Sequence, residues 1–192
     1  MTPGRRRALF TGVAAGFAAL GGWIAWQRYA PVPATDGAVS LLYSQTLPDH
    51  AGQAFVLGGL RDRVVVLNFW ATWCPPCIEE MPELAQLHLE IAPRGATVIG
   101  IGVDSAANIR EFAEKHRFPY PLLVAGFGAT ELARQLGNRI GALPFTVVID
   151  ARGRIVDRTL GRIRLPALRG TVLPMLAGTG SRAPSVSLER AG

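Results

Sequence analysis

The 192 residues predict an α/β fold built on a mainly parallel sheet. Two apolar, β-branched runs, residues 64–70 and 96–104, have the length and composition of strands buried on both faces. Residues 79–90 and 106–117 follow them with helical character, and strands alternating with helices imply crossover connections. A third run, residues 145–149, opens directly after Pro144, where a proline starts a strand rather than interrupts one. A hydrophobic content of 49% over this length suffices for one buried core plus appendages.

The only two cysteines, Cys74 and Cys77, stand two residues apart where the first strand hands over to its helix. A C-x-x-C pair supplies half of a tetrahedral zinc site, and the other half needs Cys or His ligands at suitable spacing. The three histidines, His50, His88 and His116, are scattered and far from the cysteines. The pair therefore points to redox chemistry, with no metal and no cofactor expected. In the cap region of a helix, unpaired backbone N–H groups and the positive end of the helix dipole favour thiolate at Cys74. Thiols so placed have pKa values lowered to about 3.5 to 7.5. Pro76 suits the first helical turn and stiffens the loop. Cys77, a turn further in, is expected to be the more buried partner.

The stretch Phe69-Trp70-Ala71-Thr72-Trp73-Cys74-Pro75-Pro76-Cys77, followed by Glu80 and Pro82, resembles the membrane-anchored thioredoxin-like reductases of the TlpA, ResA and CcmG group. The likeness continues more weakly over residues 40–176. It implies a thioredoxin-like fold with an amino-terminal β-hairpin and a central helix-and-strand insertion. It also implies a redox-active Cys74–Cys77 disulfide in a loop with Trp73, Pro75 and Pro76. Pro144 matches the proline that is cis in such proteins, with the Leu143 backbone facing substrate; an ordinary trans proline at a strand start is the alternative. Thioredoxin carries a buried Asp in the strand before its cysteines, and the matching Asn68 cannot titrate. The TlpA and ResA group keeps a glutamate at the position of Glu80, three residues after Cys77 and on the same helical face. Glu80 is therefore assigned the acid/base role, and Glu79 a solvent-facing one.

Along the chain, Arg5-Arg6-Arg7 precedes a stretch without charge from Ala8 to Gln27. As a helix, residues 8–26 rise about 28 Å, close to the roughly 30 Å hydrocarbon core of a bilayer. One transmembrane helix is expected, with the arginines cytoplasmic and Trp23, Trp26 and Tyr29 at the far interface. A cleaved signal peptide, exported by the general or the twin-arginine route, is the alternative. Residues 1–28 thus form the anchor, 29–39 a tether, 40–177 the thioredoxin-like domain and 178–192 a disordered tail. Residues 41–47 and 54–57 read as the hairpin strands, with His50 exposed in the turn. Residues 118–136 read as the insertion, leaving His116 and Tyr120 surface and packing roles. Residues 150–156 read as a hairpin turn, and 165–176 as a closing helix weakened by Pro174.

The net charge of +6 comes with arginines at 152, 154, 158, 162, 164 and 169 and no interleaved aromatics. That pattern fits a solvated basic face better than a nucleic-acid surface. Thiol chemistry gives the mechanism: Cys74 attacks a substrate disulfide, and Cys77, deprotonated with help from Glu80, releases the reduced product. The resemblance implies a reductant on the outer face of a bacterial cytoplasmic membrane, recharged by a membrane reductase of the DsbD or CcdA kind. Its implied substrates are apocytochrome c or a cytochrome oxidase copper-site protein. A disulfide oxidant or isomerase, and a non-catalytic tethered module, are the competing readings. A peroxiredoxin is set aside because Ala71 stands where that family has Thr, and a Sco-type copper chaperone because its cysteines are one residue further apart.

Overall fold

A computed structural model of the protein describes residues 36–177 together with Leu20, Gly21 and Trp23. The chain divides into two units, Met1–Pro33 and Ala34–Gly192. In the first, Leu20, Gly21 and Trp23 are helical and exposed. The rest of the expected membrane anchor, most of the tether and the carboxy-terminal tail lie outside the described residues. Among the described residues no helix is long and apolar enough to cross a membrane.

The second unit is organised by β3 (Val65–Trp70), buried along its whole length. It pairs in parallel with β4 (Thr97–Gly102) and antiparallel with β6 (Phe145–Ile149). Outside these lie β5 (Leu122–Val124), parallel to β4, and β7 (Ile155–Leu160), antiparallel to β6, giving the order β5-β4-β3-β6-β7. Successive strand side chains point to opposite faces, so β3 feeds two cores. Val65, Leu67 and Phe69 pack with α1 (Asp36–Ser44) and α4 (Ala129–Gln135). Val66 and Trp70 pack with α2 (Pro75–Ile91), α3 (Ala106–Lys115) and α5 (Leu165–Leu176). Asn68 shares the face of Val66 and Trp70, which turns a polar side chain toward α2. This is a thioredoxin-like α/β fold.

Helix α2 meets the sheet through Cys77, Glu80, Met81, Leu84, Leu87 and Ile91, a helical spacing with one carboxylate in an apolar stripe. Pro82 inside it removes the N–H that the Ile78 carbonyl would accept. Gly100 of β4 stands opposite Asn68, and a Cβ there would come within 2.7 Å of Leu122 and 3.1 Å of the Trp70 indole nitrogen. Glycine at this position lets the aromatic side chains close over the sheet.

Several expectations change. Of the pairings in this sheet β3–β4 and β4–β5 are parallel but β3–β6 and β6–β7 antiparallel, so it is mixed rather than mainly parallel. Helix α1 begins at Asp36, inside the residues read as tether. Residues 41–44 are not strand: they end α1, whose Ala38, Val39, Leu42 and Tyr43 are buried at helical spacing. Three consecutive apolar residues fit either period, and packing against the odd face of β3 selects the helix. The hairpin forms just after it, from β1 (Thr46–Pro48) and β2 (Ala54–Val56). Its turn is held by Asp49, whose Oδ1 accepts from the N–H groups of Ala51 and Gln53. His50 in that turn is half-buried rather than exposed, because its backbone N–H reaches the Leu122 carbonyl beside β5 at 3.0 Å.

Helix α1 is part of the core. Leu42→Ala is expected to lower stability by about 2–5 kcal/mol in chemical denaturation. A change below about 0.5 kcal/mol marks the helix as an undocked appendage.

Candidate active site

Cys74 caps the amino terminus of α2 with extended backbone, and Pro75 and Pro76 occupy the first two helical positions. Cys74 and Cys77 are joined by a disulfide with Cα atoms 5.3 Å apart. Cys77 is fully buried, Cys74 is 5% exposed, and Trp73 beside them stands 61% exposed. The expectation of free N–H groups near Cys74 needs correcting. The two prolines bring none, and the Cys77 and Ile78 N–H groups donate to the Cys74 carbonyl at 3.1 and 3.2 Å. What remains to favour a Cys74 thiolate is the helix dipole itself. The loop before Cys74 is pinned from the turn after β4: Thr72 donates its hydroxyl to Asp104, which also accepts from the Ser105 N–H and the Asn108 amide. Burial pushes the Asp104 carboxyl up, and these donors outweigh it and hold it below its ordinary value.

Glu80 is fully buried under this loop. Its Oε1 accepts from the Asn68 amide at 2.7 Å, and its Oε2 from the Ile163 backbone N–H at 2.8 Å. Burial raises its pKa from 4.5 to about 7 against the pull of Ile163, Asn68 and the Arg162 charge, with Glu83 adding repulsion. A carboxyl so placed exchanges protons near neutrality. Asn68 also donates to the Thr146 hydroxyl at 3.0 Å, while its own carbonyl oxygen has no partner. An amide can serve both states of Glu80: as placed it donates to the carboxylate, and turned over it accepts from the acid while Thr146 donates instead. Tyr120 closes the far side, its phenol pushed up by burial and then by the Glu80 charge.

The Leu143–Pro144 peptide bond is cis. Pro144 is buried, and Leu143 packs against the core cluster that contains both cysteines. The Pro144 carbonyl accepts from the Gly161 N–H at 2.8 Å, and Gly161 holds φ +85, a left-handed turn that glycine adopts without a Cβ penalty. Two residues later comes Ile163, on Glu80. Glu79 faces solvent and also meets Arg162 at 3.2 Å. Sequence reasoning gives Thr146 and Ile163 no role and places Arg162 only on a solvated basic face. The Ile163 contribution is a backbone N–H, which no side-chain pattern reveals. Among the described residues no three His, Cys, Asp or Glu side chains gather as metal ligands.

The AhpC/TSA family matches residues 42–158, more than half of the chain. The chain belongs to this family. Among curated relatives, the thioredoxin-like protein YneN of Bacillus subtilis is 30% identical over 149 residues, covering 73% of this chain and 81% of that one. The thiol-disulfide oxidoreductase ResA of Bacillus cereus is 27% identical over 124 residues, 64% of this chain and 69% of that one. Among solved structures, a thiol:disulfide interchange protein of the thioredoxin family from Chlorobium tepidum superimposes with a TM-score of 0.61 at 28% identity, covering 76% of this chain and 97% of that one. A secreted thiol-disulfide isomerase from Corynebacterium glutamicum gives a TM-score of 0.61 at 26% identity, over 69% and 83%. With its paired cysteines in this fold, the protein is a thiol:disulfide oxidoreductase similar to ResA. The peroxidase reading gains nothing from the family's breadth, since the residue three before Cys74 is the buried, hydroxyl-free Ala71.

The raised Glu80 pKa fixes a pH dependence of stability. Below 4.5 folded and unfolded chains both hold the proton; between 4.5 and about 7 only the folded chain does. Stability therefore falls as pH rises through this window and levels off above it, by at most about 3 kcal/mol. Comparing the parent with Glu80→Gln by urea denaturation isolates the effect, because the variant lacks this slope. Parallel stability curves across the window show that Glu80 titrates at its ordinary pKa.

Proposed function

We propose that the protein reduces disulfides in substrate proteins on the outer face of a bacterial cytoplasmic membrane, held there by its amino-terminal segment. The observation that carries the redox mechanism is the fully buried Glu80, three residues after Cys77 and poised near neutrality. The Cys74 thiolate attacks one sulfur of a substrate disulfide, forming a mixed disulfide and expelling the other substrate sulfur as thiolate. Cys77 gives its proton to the Glu80 carboxylate and attacks the Cys74 sulfur. The Cys74–Cys77 disulfide forms, the second substrate thiolate leaves, and two electrons have passed to the substrate. The Leu143 backbone before Pro144 aligns the substrate strand, and exposed Trp73 borders the approach to the disulfide.

The oxidised protein then needs two electrons from a membrane reductase of the DsbD or CcdA kind. Haem-binding cysteines of apocytochrome c, or a copper-site protein of cytochrome oxidase, are the proposed substrates. An oxidising compartment makes such a dedicated reductant useful, because disulfides otherwise persist there. The likeness to a secreted thiol-disulfide isomerase supports a second reading, in which the same residues run exchange toward disulfide formation or rearrangement.

Two measurements decide. Cys77→Ser is expected to accumulate mixed disulfides through Cys74, and Cys74→Ser to accumulate none; the reverse pattern assigns attack to Cys77. The equilibrium reduction potential of the pair against dithiothreitol is expected near or below about −270 mV, the thioredoxin value. A value near −120 mV, that of DsbA, replaces the reductant by the oxidant reading.

A further inference from the structure

The segment that follows β7 makes three different attachments from three consecutive residues. Gly161 donates its N–H to the Pro144 carbonyl, Ile163 donates its N–H to Glu80, and the Arg162 side chain between them crosses to α2. The guanidinium is forked: one nitrogen lies 3.2 Å from Glu79 and the other 2.8 Å from Glu83. These two carboxylates are one helical turn apart and flank Glu80 in sequence. Like charges at that spacing repel each other, and both stand near the buried acid. We propose that Arg162 is a positioning residue for the exchange reaction: its fork between Glu79 and Glu83 latches this strap onto α2, so that the Ile163 N–H stays on the Glu80 carboxylate.

Geometry supports the assignment beyond the ion pairs. Exposed ion pairs of this kind contribute little to stability by themselves, so a latch here acts through what it holds in place. Ile163 is buried and sits between Glu80 and an open groove of about 600 Å³, which Glu83, Arg162 and Arg164 also line. The strap is thus the layer that separates the acid from solvent on this side. Because Gly161 is bonded to Pro144, displacing the strap disturbs the proline loop as well as the acid. The charged or titratable groups facing Glu80 are Glu83 on its own helix, Arg162 on the strap, Tyr120 from the turn before β5 and the Cys77 thiol once reduced, while Glu79 points to solvent. Of these, Arg162 is the cation that favours the carboxylate. Its loss acts in one direction twice, removing an attracting charge and loosening the Ile163 donor, and both changes favour the protonated acid.

The inference rests on the reading of Glu80 as the proton carrier, and the test separates the two. In the full-length oxidised protein, the Glu80 carboxyl is followed by carbon-13 titration in the parent, Arg162→Gln and Arg162→Lys. The Gln variant is expected to titrate higher by about half a pH unit, the scale of a screened surface pair. The Lys variant keeps the charge without the fork and is expected between the two. High salt is expected to bring the midpoints together, since at 1 M the screening length is about 3 Å. A Glu80 midpoint in Arg162→Gln that coincides with the parent's overturns the latch. The pH profile of disulfide exchange is recorded alongside, with Glu80→Gln as reference. A rising limb that moves up in Arg162→Gln and vanishes in Glu80→Gln supports both ideas. A shifted Glu80 titration with a limb unchanged in Glu80→Gln sinks the acid/base role and leaves the latch in place.

Discussion

A carboxyl group without solvent exposure at the centre of the domain is the constraint that the rest of the architecture serves. An ionised carboxylate in an apolar core is costly unless hydrogen-bond donors replace its water. Glu80 receives two, and they come from distant parts of the chain, Asn68 on β3 and Ile163 beyond β7. Both must arrive for the charged form to be tolerated. With neither donor the group would stay protonated; with a fuller set it would stay ionised. The balance at about 7 lets one small change in the surroundings move the proton.

The two sulfurs are divided by the same helix that carries the acid. Cys74 at the cap keeps a small exposed surface and Cys77 is sealed inside, so what solvent reaches of the pair is Cys74. Since Pro75 and Pro76 contribute no N–H, and the next two N–H groups close on the Cys74 carbonyl, the cap offers a thiolate little direct hydrogen bonding. The helix dipole is what remains there to favour the charged sulfur. Trp73, exposed beside the disulfide, adds apolar surface there.

Much of this was legible in the sequence because period and length coincide with burial. The runs that form β3 and β4 are apolar apart from Asn68 and Thr97, as two-sided burial favours, and α5 occupies residues 165–176 as its pattern suggests. Residues 41–44 of α1 read as strand because Leu41, Leu42 and Tyr43 are contiguous, and only the packing of Val39 and Leu42 with β3 shows the helical period. At the site, spacing from Cys77 singled out Glu80, and the resemblance supplied its role. The donors did not declare themselves. Asn68 was noticed for what it cannot do, titrate, rather than for what it does, donate. Arg162 lay hidden among arginines read as a solvated face, and the Ile163 N–H leaves no trace in residue identity.

Positions 68 and 80 show where this chain keeps its buried acid: on α2, with an amide in the strand beside it. Thioredoxin's acid stands at the position matched here by Asn68, and the glutamate of this protein lies one 2.7 Å hydrogen bond away from that amide. In this chain the ionisable group stands on the helix and the strand supplies its hydrogen-bond partner. That placement has a physical consequence. A carboxyl on α2 is carried by the same rigid element as Cys77, so their spacing is set by one helical turn rather than by how helix and sheet pack. It also brings the acid within reach of the Gly161–Ile163 strap, whose surface charge is open to solvent. This acid is governed by the core on one side and by an exposed arginine on the other.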